Sequence, residues 1–328
     1  MSEQFSSILD SHRPLQERIS ESRGRLDEIR KATHQHACLD NDRLCVYVAG
    51  SLGRLETGSN SDFDVFLVAN DPKRSRENPS ISRLEEYEVF GALIQINSAL
   101  GYPRFSGDGR FLKTYELEDM IKATGSPRDD SDNLFTARML LVLESQPLTN
   151  DSLYDQSVER VVEHYFRDGA GRKDFRPLFF LNDVLRYWRT LCLNYEFYRN
   201  EPDRPWWKKN LNLKFSRKLT IFSTVLSLMS GAVQDRRQLI ALCDMTPIQR
   251  LASALDEIED EALLDGFKKL LDDYELFLQA KAENKVEDRN SPRYVNKYTD
   301  AAERFGQFFE HAVLSHRIDG VLRRYVFL

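Results

Sequence analysis

The spacing of apolar residues changes period along the chain. Between residues 5 and 36, Ile8, Leu15, Ile19, Leu26 and Ile29 recur at helical intervals in a charged background. This predicts one or two amphipathic helices, with Pro14 favouring a break. Leu44-Cys45-Val46-Tyr47-Val48-Ala49-Gly50 is a short β-rich run ending at glycine and predicts a buried strand. Ser51–Glu56 fits one or two helical turns, and Gly58-Ser59-Asn60-Ser61 has turn chemistry. From Asp62 to Val68, apolar residues alternate with two carboxylates, predicting a second strand ended by Asn70-Asp71-Pro72. Residues 80–100 look helical and stop at Gly101-Tyr102-Pro103. Phe111–Tyr115 fits a third strand after the turn Gly107-Asp108-Gly109. Residues 134–145 fit either a helix or a buried strand, and their Ala, Arg, Met and Leu content favours the helix.

Beyond residue 151 the strand signals stop. Helical patterns run through 152–167, 177–199, 212–230, 234–243, 247–279 and 298–324, separated by Pro-containing loops at 201–207 and 285–293. The plan is an N-terminal helical segment (1–40), a small α/β domain (41–150) and an all-helical domain (151–328). A length of 328 residues suits about two domains. With 41% hydrophobic residues the chain can build real cores, which excludes a disordered tail protein. The 46 basic and 52 acidic residues leave a net charge of −6, so a site for a polyanion must be a local patch. Four cysteines without CxxC spacing or a Cys/His cluster argue against a disulfide scaffold or zinc ribbon. The charged N-terminus has no apolar signal region. The longest apolar stretch, near Leu219–Leu228, is broken by Thr220, Ser223, Thr224 and Ser227 and is too short to span a bilayer. These features predict a cytoplasmic protein with no membrane segment.

The chemistry concentrates where the period is two. Gly50-Ser51 is followed, after ten residues, by Asp62-Phe63-Asp64. On a strand, positions i and i+2 share a face, so both carboxylates point the same way. Two adjacent carboxylates repel unless a cation lies between them, and Mg²⁺ takes a few carboxylates while keeping positions for triphosphate oxygens. Gly50 and Ser51, between a strand and a helical turn, offer backbone N–H groups and a hydroxyl to phosphate.

The segment AGSLGRLETGSNSDFDVFLV (49–68) resembles the signature of the polymerase-beta superfamily of nucleotidyltransferases in order, spacing and flanking hydrophobicity. Its wording is similar to the branch containing the PII-protein uridylyltransferases. The resemblance covers about residues 40–150 in architecture, with the specific motif confined to 20 residues. It implies an α+β fold: a nucleotidyltransferase domain with a mixed sheet, then a helical domain closing the active-site cleft. It also implies that Asp62 and Asp64 bind Mg²⁺ or Mn²⁺, and that Gly50 and Ser51 position the phosphates of a nucleoside or deoxynucleoside triphosphate. A third carboxylate is expected on a later strand, and Glu144, Asp108 and Glu116 each fit. Arg54 is placed either to grip the triphosphate or to pair with Glu56. The acidic run Arg128–Asn133 fits a second metal less well than an N-terminal helix cap.

The helical domain adds a second cluster, with Asn182, Asp183, Arg186 and Arg189 at i, i+1, i+4 and i+7. Residues 199–218, which include Lys214, Arg217 and Lys218, hold seven basic and two acidic side chains. Such groups clamp base and phosphates, or form a solvated basic helix. Residues 256–275, with nine acidic and two basic side chains, read as a solvated helix face. The reaction this implies is template-independent transfer of NMP or dNMP to a hydroxyl. The acceptor is a protein partner, or a nucleotide being built into a signal oligonucleotide. Bacterial anti-phage nucleotidyltransferases of the Hailong-like type do the latter, priming on their own chain. Tyr325, after Arg323-Arg324, either packs on the helical core or offers its phenol as such a primer. A catalytically silent nucleotide-binding regulator is the reading from a different class.

Overall fold

The computed structural model describes residues 3–74, 78–105, 109, 112–169, 175–199, 206–282, 292–315, 318, 320, 322 and 323. The fold is α+β, with a four-stranded mixed sheet in the N-terminal half and helices thereafter. In chain order the elements are α1 (Gln4–Ser11), α2 (Arg13–Thr33), β1 (Leu44–Val48), α3 (Gly50–Gly53), β2 (Val65–Ala69), α4 (Arg83–Ala99) and β3 (Thr114–Glu116). Next come α5 (Leu117–Lys122), α6 (Pro127–Ser131), α7 (Leu134–Leu143), β4 (Gln146–Pro147) and α8 (Asp151–Tyr165). The remainder is α9 (Leu178–Tyr198), α10 (Trp206–Asn212), a π-turn (Leu213–Arg217), α11 (Lys218–Met229), α12 (Arg236–Asp244), α13 (Pro247–Ile258), α14 (Leu264–Ala282) and α15 (Pro292–Leu314).

Two compact units emerge, Glu17–His164 and Met1–Gln16 with Tyr165–Leu328. The N-terminal segment is therefore divided, α1 belonging to the helical unit and nearly all of α2 to the α/β unit. The second division falls after His164 and not at 150, so α8 stays with the sheet.

The α/β unit is organised by its sheet, of order β3-β2-β1-β4. β1 and β2 are antiparallel with Val46 opposite Leu67, and β2 and β3 are parallel with Leu67 opposite Thr114. Leu44, Val46, Val48, Val65, Leu67 and Ala69 form one face, buried in a core with Ile19, Leu26 and Ile29 of α2 and Val89, Leu93 and Ile96 of α4. The other face is aromatic: Tyr47 contacts Phe66 (5.8 Å) and Tyr154 (6.3 Å), and Phe66 contacts Tyr115 (6.4 Å). A Ser82–Glu85 capping box starts α4, and Gly101 at φ 72° follows its end. Residues 134–143 are helical, and β4, two residues pairing with β1, escapes the sequence pattern because a strand so short has no period.

The helical unit packs aromatic rings at its centre: Phe215 stacks on Phe277 at 4.8 Å, and Phe305 lies 5.1 Å from Phe215. The serines and threonines that interrupt Leu219–Leu228 are buried, and Thr220, Thr224 and Ser227 donate to the carbonyls of Ser216, Thr220 and Ser223. Back-bonding of this kind lets hydroxyls enter a core helix without orphaned donors. No helix among the described residues is long and apolar enough to cross a membrane.

The acidic stretch 256–275 is not one solvated face. Asp256 is buried and accepts from the Phe5 amide (2.8 Å), the Ser6 amide (3.1 Å) and the Ser6 hydroxyl (2.5 Å), capping α1. Asp273 is buried and takes a bidentate pair from Arg304 at 3.0 and 2.6 Å. Asp256→Ala removes the acceptor for three donors and is expected to cost about 1–2 kcal/mol of local stability. Amide hydrogen exchange over residues 4–11 measures this, and unchanged protection there would refute the capping role.

Candidate functional site

The site begins where β1 ends. The Ala49 amide donates to the Asp64 carbonyl at 2.9 Å, extending the β1–β2 ladder by one pair. The chain then turns at Gly50, whose φ of 67° lies in the left-handed region that favours glycine. A Cβ on Gly50 would sit 2.5 Å from Oδ2 of Asp64, so the absent side chain is what lets that carboxylate lie against the turn. α3 follows as a single turn with Ser51 buried.

Asp62 and Asp64 precede β2 and do not lie inside it, a correction to the strand expected from Asp62. The alternation nevertheless persists. Asp62 is exposed, Asp64 is half-buried, and Phe63 between them is 2% exposed. Phe63 packs on Tyr102 (5.4 Å) and Phe105 (6.0 Å), and this anchor turns both carboxylates away from the core. Two carboxylates so placed, one open to solvent, are a donor set that suits a hard divalent cation with phosphate oxygens and water completing its shell. Among the described residues no group of three or more His, Cys, Asp or Glu is arranged to hold a metal.

The third-carboxylate positions fare differently. Glu144 fits a metal site if 139–144 is a strand, but this segment is the end of α7 with Glu144 at its C-cap. Its side chain is fully buried and forms an ion pair with Arg54. Glu116 pairs with Ala69 at the far end of the parallel strands from Asp62 and Asp64. Its carboxylate accepts from the Ser80 amide (3.0 Å) and hydroxyl (2.5 Å). Asp108 lies outside the described residues, as does Tyr325.

Arg54 is buried and bridges two acids. Its Nε and a terminal nitrogen reach Glu56 at 2.7 and 2.5 Å, and its other terminal nitrogen binds Glu144. The salt-bridge alternative for Arg54 is the one observed, widened to Glu144. Gly53 completes the joint, because a Cβ there would stand 1.9 Å from the Glu144 carbonyl oxygen. Pair and glycine together seat α3 on the end of α7, so Arg54 and Glu144 position the Gly50–Ser51 turn.

A polar face of α2 performs a function its sequence does not disclose. Arg18, Ser22 and Arg25 recur at i, i+4 and i+7 and grip the loop leading to Asp62. Arg18 donates to the Thr57 carbonyl (3.3 Å), Ser22 Oγ accepts from the Thr57 amide (3.0 Å), and Arg25 donates to the Gly58 carbonyl (2.5 Å). The i, i+4, i+7 spacing is legible, but charged residues on an amphipathic helix normally face water, so nothing local marks them as clamps. The run Arg128–Asn133 is structural: Asp129 and Arg138, both fully buried, form a bidentate pair at 2.8 and 3.0 Å. At the opposite end of β2, a cavity of about 620 Å³ is lined by Asn70, Asp71, Arg74, Glu118, Asp119 and Arg160, among others. Its arginines are already ion-paired, Arg74 with Asp119 at 2.7 Å and Arg160 with Glu118.

In the helical unit, Asp183 is buried, accepts from the Tyr165 hydroxyl at 2.7 Å and lies 3.6 Å from Arg186. It therefore orients Arg186 from below and is not itself presented to a ligand. Lys214 and Arg217 sit on the π-turn and Lys218 directly after it. π-turns of this sort frequently accompany functional sites. The Lys218 ammonium makes no hydrogen bond or ion pair among the described residues. Gly306 leaves it room, since a Cβ there would lie 3.0 Å from Nζ. Burial pushes the Lys218 pKa below the ordinary lysine value, and Lys214 adds to this while Glu310 opposes it.

No protein-family model, curated protein or solved structure matches the chain.

Removing one partner of a buried ion pair leaves the other uncompensated, at a cost of about 3–5 kcal/mol. Arg54→Met, which strips both Glu56 and Glu144 of their shared cation, is expected to lower stability on this scale in urea melts of the α/β unit's tyrosine signals, and Glu144→Gln, which leaves Arg54 paired with Glu56, is expected to lower it by less. Wild-type midpoints for both variants would show that the pair does not hold α3.

Proposed function

We propose that the protein is a metal-dependent, template-independent nucleotidyltransferase. It would move a nucleoside or deoxynucleoside monophosphate from its triphosphate to a hydroxyl on a protein or a nucleotide. The observation that carries this reading is the contact between the Gly50 turn and the Asp64 carboxylate, with Asp62 exposed beside it. It joins a backbone turn able to receive phosphate to a pair of cation-binding carboxylates. Mg²⁺ or Mn²⁺ held by Asp62 and Asp64 would offset triphosphate charge and ease deprotonation of the acceptor. In the transfer, the acceptor oxygen bonds to the α-phosphorus, the bond to pyrophosphate breaks, and the acceptor proton passes to solvent.

The chain's own residues orient. Phe63 sets the direction of both carboxylates, and Gly50 and Ser51 contribute the turn. Arg54 with Glu144 and the α2 clamp keep that turn in place. The resemblance assigns phosphate-binding cations to the helical unit as well, and Arg186, Lys214, Arg217 and Lys218 are its candidates there. A signal-making enzyme of bacterial defence, working in the cytoplasm and primed on its own chain, is the biological setting the motif suggests. One observation favours a silent nucleotide-binding regulator instead: Glu144 is neutralised by Arg54, and no described residue stands in as a third carboxylate.

Incubation with each labelled NTP and dNTP, followed by intact-mass spectrometry, separates these readings. Label is expected on the chain, on an added acceptor or in a soluble product, and Asp62→Ala or Asp64→Ala is expected to abolish it with the circular dichroism spectrum unchanged. Activity surviving in the double variant would end the transferase proposal, and nucleotide binding without turnover in the wild type would establish the regulator.

Lys218 yields a separate test. A partly buried cation with no ion pair among the described residues is unfavourable for folding, so Lys218→Met is expected to raise the thermal midpoint while weakening triphosphate binding roughly tenfold, about 1.4 kcal/mol. The sign of the pH effect follows from the lowered pKa. The folded protein binds fewer protons than the unfolded one between the folded pKa and the ordinary lysine value, so stability rises with pH across that window while binding falls. A Lys218→Met variant with unaltered triphosphate affinity would remove this residue from the phosphate site.

A further inference from the structure

Lys218 lies at a seam of three helices in the helical unit. Its Nζ rests over Gly306 of α15, where a Cβ would come within 3.0 Å. One turn along α11, Phe222 contacts Trp188 of α9 at 5.4 Å and Phe309 of α15 at 5.9 Å, so aromatic rings close the seam on that side. The Lys218 side chain is only half-buried, which leaves it open to a small molecule.

Each neighbouring element turns one titratable group toward the amine. Lys214 lies four residues earlier on the π-turn, where a turn takes more residues than in an α-helix, so the two side chains come nearly into line. Glu310 follows Gly306 by four residues and shares its face of α15. From α9 comes Cys192, a thiol that burial keeps protonated. Among the described residues Lys218 makes no ion pair, so no acid locks it as an ammonium. Burial disfavours its charge most strongly, Glu310 favours the charge, and Lys214 disfavours it. A lysine desolvated beside a second cation is an activated nucleophile.

We propose that Lys218 forms an imine with an aldehyde or ketone that carries an anionic group, Lys214 holding that group and Glu310 moving the proton. The Nζ lone pair bonds to the carbonyl carbon, and the carbonyl π pair moves to oxygen. Glu310 takes the proton from Nζ and returns it to the hydroxyl, which leaves as water while the carbon–nitrogen double bond forms. Amine and carbonyl give imine and water, with no oxidant or reductant consumed. The same lysine is a candidate for phosphate oxygens, as a cation, whereas the imine needs the neutral amine. The inference does not depend on nucleotidyl transfer.

Pyridoxal phosphate, added to the full chain without nucleotide or metal and fixed by borohydride reduction, tests this through peptide mapping. Lys218 is expected to take label before the other lysines, at a rate that rises with pH and levels off below the pH at which exposed lysines react. Pyridoxal, which lacks the phosphate, is expected to react more slowly by about threefold or more. Lys214→Met is expected to erase that preference and move the midpoint to higher pH. Glu310→Gln is expected to move the midpoint to lower pH yet slow the plateau, a combination that a purely structural role would not produce. Label spread evenly over the lysines, a Lys218 profile matching exposed lysines, or equal rates with pyridoxal and its phosphate would each overturn the proposal. The wild-type labelling decides on its own if a variant does not fold, and with no nucleotide present its result is independent of the transferase reading.

Discussion

The joint between α3 and the end of α7 is the constraint on which the candidate site rests. Gly53 meets the Glu144 carbonyl so closely that any side chain would collide with backbone, which cannot move aside as a side chain can. Arg54, the next residue, reaches the Glu144 and Glu56 carboxylates in a dry environment, where geometry is strict because a misplaced charge is unpaired. Once α3 is seated, the left-handed turn at Gly50 has a defined place and Asp64 can lie against it. Close packing at one glycine thus determines where another can receive a carboxylate.

The loop to Asp62 is held by a different kind of force. Thr57 and Gly58 have few apolar atoms to bury, and hydrogen bonds from Arg18, Ser22 and Arg25 hold their backbone. Phe63 then docks among Tyr102 and Phe105 and sets the direction of the carboxylates on either side. Apolar anchoring and backbone hydrogen bonding act on neighbouring residues, and together they leave Asp62 open and Asp64 half-covered.

The helical unit shows the reverse economy of charge. Acids that look solvent-bound in sequence are engaged inside: Asp256 at the start of α1, Asp273 with Arg304, and Asp183 with Tyr165. Lys218, in contrast, is partly buried with its ammonium over a glycine, and among the described residues it makes no ion pair. A charge left in that condition is the feature one expects of a ligand site more than of a folding core.

Much of the plan follows from the residues alone. A short β-rich run ending at glycine located β1, period-two alternation located most of β2, helical periodicity located α2, α4 and the helical half, and the Gly50-Ser51 to Asp62-Phe63-Asp64 spacing located the carboxylate pair. These features are local, since a strand's alternation, a glycine's freedom and a capping box depend on neighbours within a few residues. The choice of partner is not local. Glu144 reads equally well as a metal ligand or a helix-end acid, and only the approach of Arg54, 90 residues earlier in sequence, decides for the ion pair. β4 pairs over two residues and has no pattern to read, and the α2 clamp is built from side chains that would suit any solvated helix. Which acids are buried, which cations go without a partner and which glycines face backbone are set by contacts between distant segments, so tertiary structure alone determines them.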